Sequence, residues 1–185
     1  HFFEHLMFEG SPNIERGEYM KIVQQNGGAL NANTSFDRTF YYELLPSNQL
    51  ELGLWLESER MFQATVDQTG VETQREVVKE EKRLRVDNRP YGSFIENMFK
   101  AAYPNHPYEI VPIGTMADLN AAKIEDFADF YETFYVPNNA TLSIAGDIDI
   151  DATKAMIEKY FGTIEKGTNE IPRPTNPVTL LEKEV

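Results

Sequence analysis

Apolar residues in the first ten positions fall at Phe2, Phe3, Leu6 and Met7, a helical spacing, and Gly10 stands where a helix C-cap is expected. Ser11, Pro12 and Asn13 form a turn, and a short helix over 17–25 ends at Asn26-Gly27-Gly28. Residues 29–45 alternate in places and are rich in Thr, Phe and Tyr. With Asp37-Arg38 as a tight connection they predict a hairpin. Leu50, Leu52, Leu54, Trp55 and Leu56 predict an amphipathic helix over 47–62. A longer helix follows over 70–86; Pro90 and Gly92 interrupt it, and a further helix spans 93–102. The stretch 103–114 holds three prolines and no periodicity, so it reads as a loop. Phe127, Phe130 and Phe134 place a helix over 118–135. Residues 140–145 read as a short apolar strand closed by Gly146-Asp147, and 151–161 as a last helix. The tail from Gly162 carries Pro172, Pro174 and Pro177 and reads as an exit linker. Together these elements predict an α+β fold, with helices packed on one antiparallel-rich mixed sheet.

Length and composition narrow the picture. At 185 residues the chain suits one domain, and 41% hydrophobic with 12% aromatic residues excludes disordered and collagenous classes. Thirty acidic against seventeen basic residues give a formal net charge of −13, which argues against general nucleic-acid binding. The absence of cysteine excludes disulfides, thiolate metal sites and a cysteine nucleophile. No stretch approaches the roughly 18 apolar residues of a membrane helix. The chain opens on His1, inside what reads as a helix, so it is read as a fragment or processed segment with its upstream part missing.

The sharpest chemistry lies in His1-Phe2-Phe3-Glu4-His5. Residues four apart share one helix face, so His1 and His5 can present two imidazole nitrogens to one ion. Glu4 would project beside that ion, where a carboxylate can take a proton from an activated water. This is the H-x-x-E-H pattern, the inverse of the H-E-x-x-H zinc signature. The plainer reading is two surface histidines at a chance spacing, but the chain has only three histidines and two of them flank this glutamate. A catalytic zinc site needs a third protein ligand. His106 sits in a proline-rich loop, where a solvated or hydrogen-bonded histidine is expected, so a carboxylate is the better source. The helix with Glu72, Glu76, Glu80 and Glu81 is the richest supply.

A helical wheel separates these four. With Val77 at zero, the apolar face of Val71, Val77, Val78 and Leu84 centres at about 50°, and Glu81 falls at about 40°. Glu80, Glu76 and Glu72 fall at about 300°, 260° and 220°, a solvated charged flank. Glu81 is therefore aimed inward and needs a cation or hydrogen bonds to be tolerated. Gln74 shares the face at about 60°. Arg85 also lies near it, so an Arg–Glu ion pair competes with the ligand reading.

The inverted motif, followed at this distance by Glu81 within Gln74-Arg75-Glu76-Val77-Val78-Lys79-Glu80-Glu81, resembles the pitrilysin/insulinase (M16) family of zinc metallopeptidases. Phe8-Glu9-Gly10-Ser11 is similar to the family's continuation after the zinc helix. Gly28-Ala29-Leu30-Asn31-Ala32-Asn33-Thr34-Ser35 with Asp37-Arg38-Thr39-Phe40-Tyr41 is similar to its substrate-side hairpin. Pro112-Ile113-Gly114, Tyr135-Val136-Pro137-Asn138-Asn139-Ala140 and Ala145-Gly146-Asp147 match further landmarks. The zinc motif with its spacing is highly specific, whereas each later landmark alone is weak.

The resemblance implies one Zn2+ per chain held by His1, His5 and Glu81, with Glu4 as general base. It implies a strand of Leu30, Asn31, Ala32, Asn33 and Thr34 that pairs with an extended peptide, a mode that fixes register through the main chain. It further implies a mitochondrial-processing-peptidase-like (LuxS-like metallohydrolase) fold lacking its first strands, with a catalytic domain over 1–167 and a linker over 168–185 toward a following homologous domain. That domain, or a partner subunit, would supply an arginine and a tyrosine toward the substrate. By the same resemblance a bacterial periplasmic location is expected. Where many relatives carry a second glutamate seven residues before the ligand this chain has Gln74, which can hydrogen-bond the ligand shell without adding charge. The reading is thus a zinc-dependent endopeptidase domain. Its rival is a non-catalytic peptide-binding or complex-assembly subunit of the same fold; such subunits typically lose one or more zinc residues, and all four are present here.

Overall fold

A computed structural model describes residues 1–175 and residue 177. The first helix, α1 (Phe2–Leu6), has five residues, far too few to hold a helix by its own hydrogen bonds. Burial holds it instead. Phe2, Phe3, Leu6 and Met7 form one core with Val71, Val78, Leu119 and Phe127. Gly10 then turns the chain at a φ of 103°, and a Cβ there would lie 2.2 Å from the carbonyl oxygen of Ile14. Only glycine fits that turn.

Helix α2 (Glu18–Gln25) leads into a hairpin of β1 (Ala29–Thr34) and β2 (Thr39–Leu44), antiparallel with Leu30 opposite Glu43 and Thr34 opposite Thr39. Leu30, Ala32, Thr34, Thr39, Tyr41 and Glu43 face inward along the alternation, as the period of two requires. Helix α3 (Leu50–Gln63) is entered through a short 3-10 turn over Ser47–Gln49. A second core joins Leu56 of α3 to Ile14, Tyr19 and Val23, with Leu30 and Leu45 packed against it. Between the two cores lies Arg60, buried, with its guanidinium over the rings of Phe8, Tyr19 and Tyr41 at 5.0, 4.6 and 4.3 Å. It pairs with Glu57 one turn earlier. Its charge is opposed by burial, but Tyr19 and Glu57 beside it more than offset that and raise its pKa.

Helix α4 (Gln68–Lys82) starts where Asp67 Oδ1 accepts the Gly70 amide at 2.7 Å, and a π turn over Arg83–Asp87 continues it. Then come α5 (Phe94–Ala102), α6 (Met116–Ala121), α7 (Ile124–Phe134) and α8 (Ile150–Phe161), the last packed on α3.

The structure differs from the sequence reading in three places. The helix expected over 118–135 is two, broken at Ala122-Lys123. The Arg75 guanidinium caps the end of α6 through the carbonyls of Leu119 and Ala122, while Asp126 accepts the Lys123 amide at 2.8 Å to start α7. Residues 140–145, expected as a strand, form no ladder among the described residues, so the sheet described is the β1–β2 pair alone. Val77 and Leu84, taken as part of the apolar face of α4, are 45% and 60% exposed. The buried stripe is Val71, Arg75, Val78 and Lys82, where the long polar side chains are satisfied by carbonyls or by Glu96. The α+β class stands. Residues 168–175 carry no regular structure, and the rest of the expected linker, residue 177 apart, lies outside the described residues.

Candidate metal centre

Helices α1 and α4 pack together and set three side chains facing one point. His1 and His5, one turn apart, have ring centroids 4.8 Å apart in an edge arrangement. Their Nε2 atoms lie 3.5 and 3.3 Å from Glu81 Oε2, and one ligand atom from each of the three residues falls within 4.8 Å of the other two. Among the described residues this is the one cluster of three such groups able to share an ion. Glu81 is 16% exposed, whereas Glu72, Glu76 and Glu80 face solvent.

Hydrogen bonding fixes what these atoms can offer. Gln74 Nε2 donates to Glu9 Oε1 at 2.6 Å, and a carboxylate can only accept, so the amide oxygen of Gln74 must face His5. His5 Nδ1, 3.2 Å from that oxygen, therefore carries the proton. In the neutral ring Nε2 is then a lone pair pointed at a carboxylate oxygen, two acceptors face to face. Their 3.3 Å separation is long for a charge-assisted hydrogen bond, which closes to about 2.7–2.9 Å. It matches instead the ligand–ligand edge of a tetrahedral zinc site, about 3.3 Å for bonds of 2.0–2.1 Å. The donor set of two imidazoles and a carboxylate fits that ion.

Behind His5 the contacts continue without a break. Glu9 Oε2 meets Arg16 Nε at 3.1 Å, and Arg16 Nη2 reaches both Asp67 oxygens at 2.8 and 2.9 Å. The Gly70 amide and then Arg16 hold the Asp67 carboxyl below its ordinary pKa. The amino-terminal cap of α4 is thereby tied to an imidazole on α1. The contacts that join Glu9, Arg16 and Asp67 left no signal in the sequence, because their partners are remote along the chain. The second oxygen of Glu81 has its own partner, Arg85 Nη1 at 2.8 Å. The Arg–Glu pair and the inward-facing carboxylate oxygen therefore coexist, one oxygen each.

Glu4 is buried beside this cluster rather than in it, and its Oε2 accepts from the Thr34 hydroxyl. Thr34 closes β1, which lies against α1. The residues Leu30, Asn31, Ala32, Asn33 and Thr34 pair on one side with β2, and their other edge has no strand partner among the described residues. His106 stands apart from the cluster. Its Nδ1 accepts the Tyr108 amide at 3.1 Å and its ring meets that of Tyr108 at 4.8 Å.

A family model described as insulinase (peptidase family M16) matches residues 1–115, and one described as peptidase M16 inactive domain matches residues 121–185. The chain belongs to the M16 peptidase family. Among curated proteins it is 35% identical to the zinc protease PqqE of Helicobacter pylori, over 95% of this chain and 39% of that protein. Among solved structures, a protease from Helicobacter pylori superposes with a TM-score of 0.92 at 35% identity, over 97% of this chain and 43% of that one. The periplasmic protease PqqL of Escherichia coli superposes with a TM-score of 0.83 at 24% identity, over 97% of this chain and 20% of that one, a likeness of fold. The chain thus spans about two fifths of the length of the curated relatives it matches. The family and its fold agree with the sequence reading.

Proposed function

We propose that this chain is the metal-binding part of a zinc endopeptidase, in which His1, His5 and Glu81 hold one zinc and Glu4 is the general base. The observation that carries the reading is the convergence of His1 Nε2 and His5 Nε2 on Glu81 Oε2 at 3.5 and 3.3 Å, with the other nitrogen of His5 committed to Gln74. Two imidazoles and a partly buried carboxylate gathered within 4.8 Å of one another are a donor set that one cation would satisfy together. Membership of a family whose relatives are named zinc proteases supports it.

Zinc bound there supplies Lewis acidity, which polarises a peptide carbonyl and lowers the pKa of water toward ~7. The chain's own residues do the rest. Glu81 and the two imidazoles give a neutralising, oriented ligand set. Glu4 takes the proton of the attacking water on the carboxylate oxygen that Thr34 leaves free, and returns it to the leaving amine nitrogen. The open edge of Leu30, Asn31, Ala32, Asn33 and Thr34 holds an extended peptide by main-chain pairing, so that the register is set by backbone rather than by side chains. A homologous second domain or subunit would close the site over the substrate and add an arginine and a tyrosine. A bacterial periplasmic location is supported only by the description of PqqL, and cell fractionation tests it.

Metal analysis of the full-length protein should give about one zinc per chain, lost in His5→Ala. Glu4→Gln should keep the zinc and lose peptide hydrolysis. Retained hydrolysis in that variant refutes the role of Glu4, and absence of zinc in the parent refutes the ligand set.

A further inference from the structure

The hydroxyls around Glu4 form a directed chain. A carboxylate cannot donate, so Thr34 Oγ1 gives its one proton to Glu4 Oε2 and turns its lone pairs elsewhere. Thr39, its cross-strand partner, lies 3.3 Å away with its own hydroxyl and can only be the donor in that contact. Nearby, the Tyr135 hydroxyl oxygen is 2.5 Å from that of Tyr41. Since each hydroxyl has one proton, the two threonines must point the same way: Thr39 to Thr34, Thr34 to Glu4. Two donors in series polarise each other toward the charge at their end. Burial pushes the Tyr135 hydroxyl up to about 12 against the opposing effect of Tyr41, and burial together with Tyr135 pushes the Tyr41 hydroxyl above the ordinary phenol range, so both keep their protons at neutral pH. Phe3 packs on the Tyr135 ring at 4.8 Å, which holds that tyrosine against the helix that carries Glu4.

We infer that Thr34 is the positioning residue of the base: its hydroxyl, backed by Thr39, pins one oxygen of Glu4 and leaves the other for proton transfer. This rests on the reading of Glu4 as general base. It also changes the part given to Thr34, whose backbone lies on the peptide-pairing strand while its side chain serves the carboxylate. One residue thus joins the strand that would receive a peptide to the group that would act on it. Loss of the hydroxyl frees the Glu4 side chain to rotate, which misplaces the proton acceptor without touching the peptide-pairing edge.

The test uses the full-length, zinc-loaded protein and an extended peptide substrate. Thr34→Val should lower kcat by roughly 10- to 100-fold with KM within about twofold and zinc content unchanged, and Thr34→Ser should restore most of the rate. Urea unfolding of the metal-free protein gives a readout independent of turnover. Thr34→Val should lower the midpoint in the parent background and move it much less in a Glu4→Ala background, because the contact is then already gone. An unchanged kcat in Thr34→Val, a rise in KM alone, no rescue by serine, or equal midpoint shifts in both backgrounds would each overturn the assignment. Failure of the underlying reading looks different: Glu4→Gln would retain hydrolysis, whatever the Thr34 variants do.

Discussion

Replacing Gln74 by leucine removes two hydrogen bonds, 3.2 Å to His5 Nδ1 and 2.6 Å to Glu9 Oε1, with little change in side-chain volume. Two costs follow, and they fall on different equilibria. The imidazole loses the acceptor that fixes its tautomer and ring orientation. Loss of such a contact typically weakens metal binding roughly 10- to 100-fold, or about 1.4–2.7 kcal/mol. Separately, Glu9 is buried and keeps only Arg16 as a charged partner, so the fold loses about 1–3 kcal/mol from the unsatisfied carboxylate oxygen. Urea unfolding in excess chelator measures the second cost alone, and competition of the folded protein with a chromophoric chelator measures the first. Gln74→Glu is the informative companion. Its carboxylate would stand against that of Glu9 where an amide nitrogen now sits at 2.6 Å, and two carboxylates that close cannot both ionise. One of them keeps a proton near neutral pH, the contact to His5 survives, and zinc affinity falls less than in the leucine variant. Zinc affinity within twofold of the parent in Gln74→Leu would refute the orienting role assigned to this side chain.

Three further outcomes are expected. Leu6→Ala, at a position 0% exposed in the core beneath both histidines, should cost about 2–5 kcal/mol in urea unfolding and weaken zinc binding as α1 loosens; a cost below 1 kcal/mol would contradict the packing. Burial, then the neighbouring Glu57 carboxylate, push the Glu43 carboxyl up to about 8, with Arg60 of α3 opposing and Tyr19 of α2 donating to it. An unfolded glutamate titrates near ~4.3, so from there to about 8 the native state holds the extra proton and stability falls as pH rises; unfolding midpoints at both ends of the window should converge in Glu43→Gln. Chelation should lower the unfolding temperature of the parent, by the equivalent of about 2.7 kcal/mol when zinc had been present at 100 times its Kd, and should leave His5→Ala unmoved; equal responses in the two proteins would argue against the site.

Much of the fold is legible because its signals are local. The hairpin alternation and the short helix before Asn26 come from neighbours in sequence. The break between α6 and α7 is not legible, since Phe127, Phe130 and Phe134 keep one helical phase and nothing nearby shows that Arg75 will reach across to the carbonyls of Leu119 and Ala122. The buried face of α4 is hidden from the sequence for a related reason. Arg75 and Lys82 are buried through partners on other elements, and hydropathy alone assigns them to solvent. The 140–145 segment has strand composition, but a strand exists only through a partner.

The sequence by itself determined which side chains could meet. A spacing of four puts His1 and His5 on one helix face, and a spacing of seven puts Gln74 and Glu81 on one face of α4, apart from Glu72, Glu76 and Glu80. Tertiary structure alone decided what each of those groups faces. It gave one Glu81 oxygen to the histidines and the other to Arg85, turned the Gln74 amide by means of Glu9, and set Thr34 on Glu4. The physical reason is that periodicity is a property of one element and reports only the direction of a side chain. A hydrogen bond between residues 30 to 70 positions apart depends on how two elements pack, and that is a sum over the whole core.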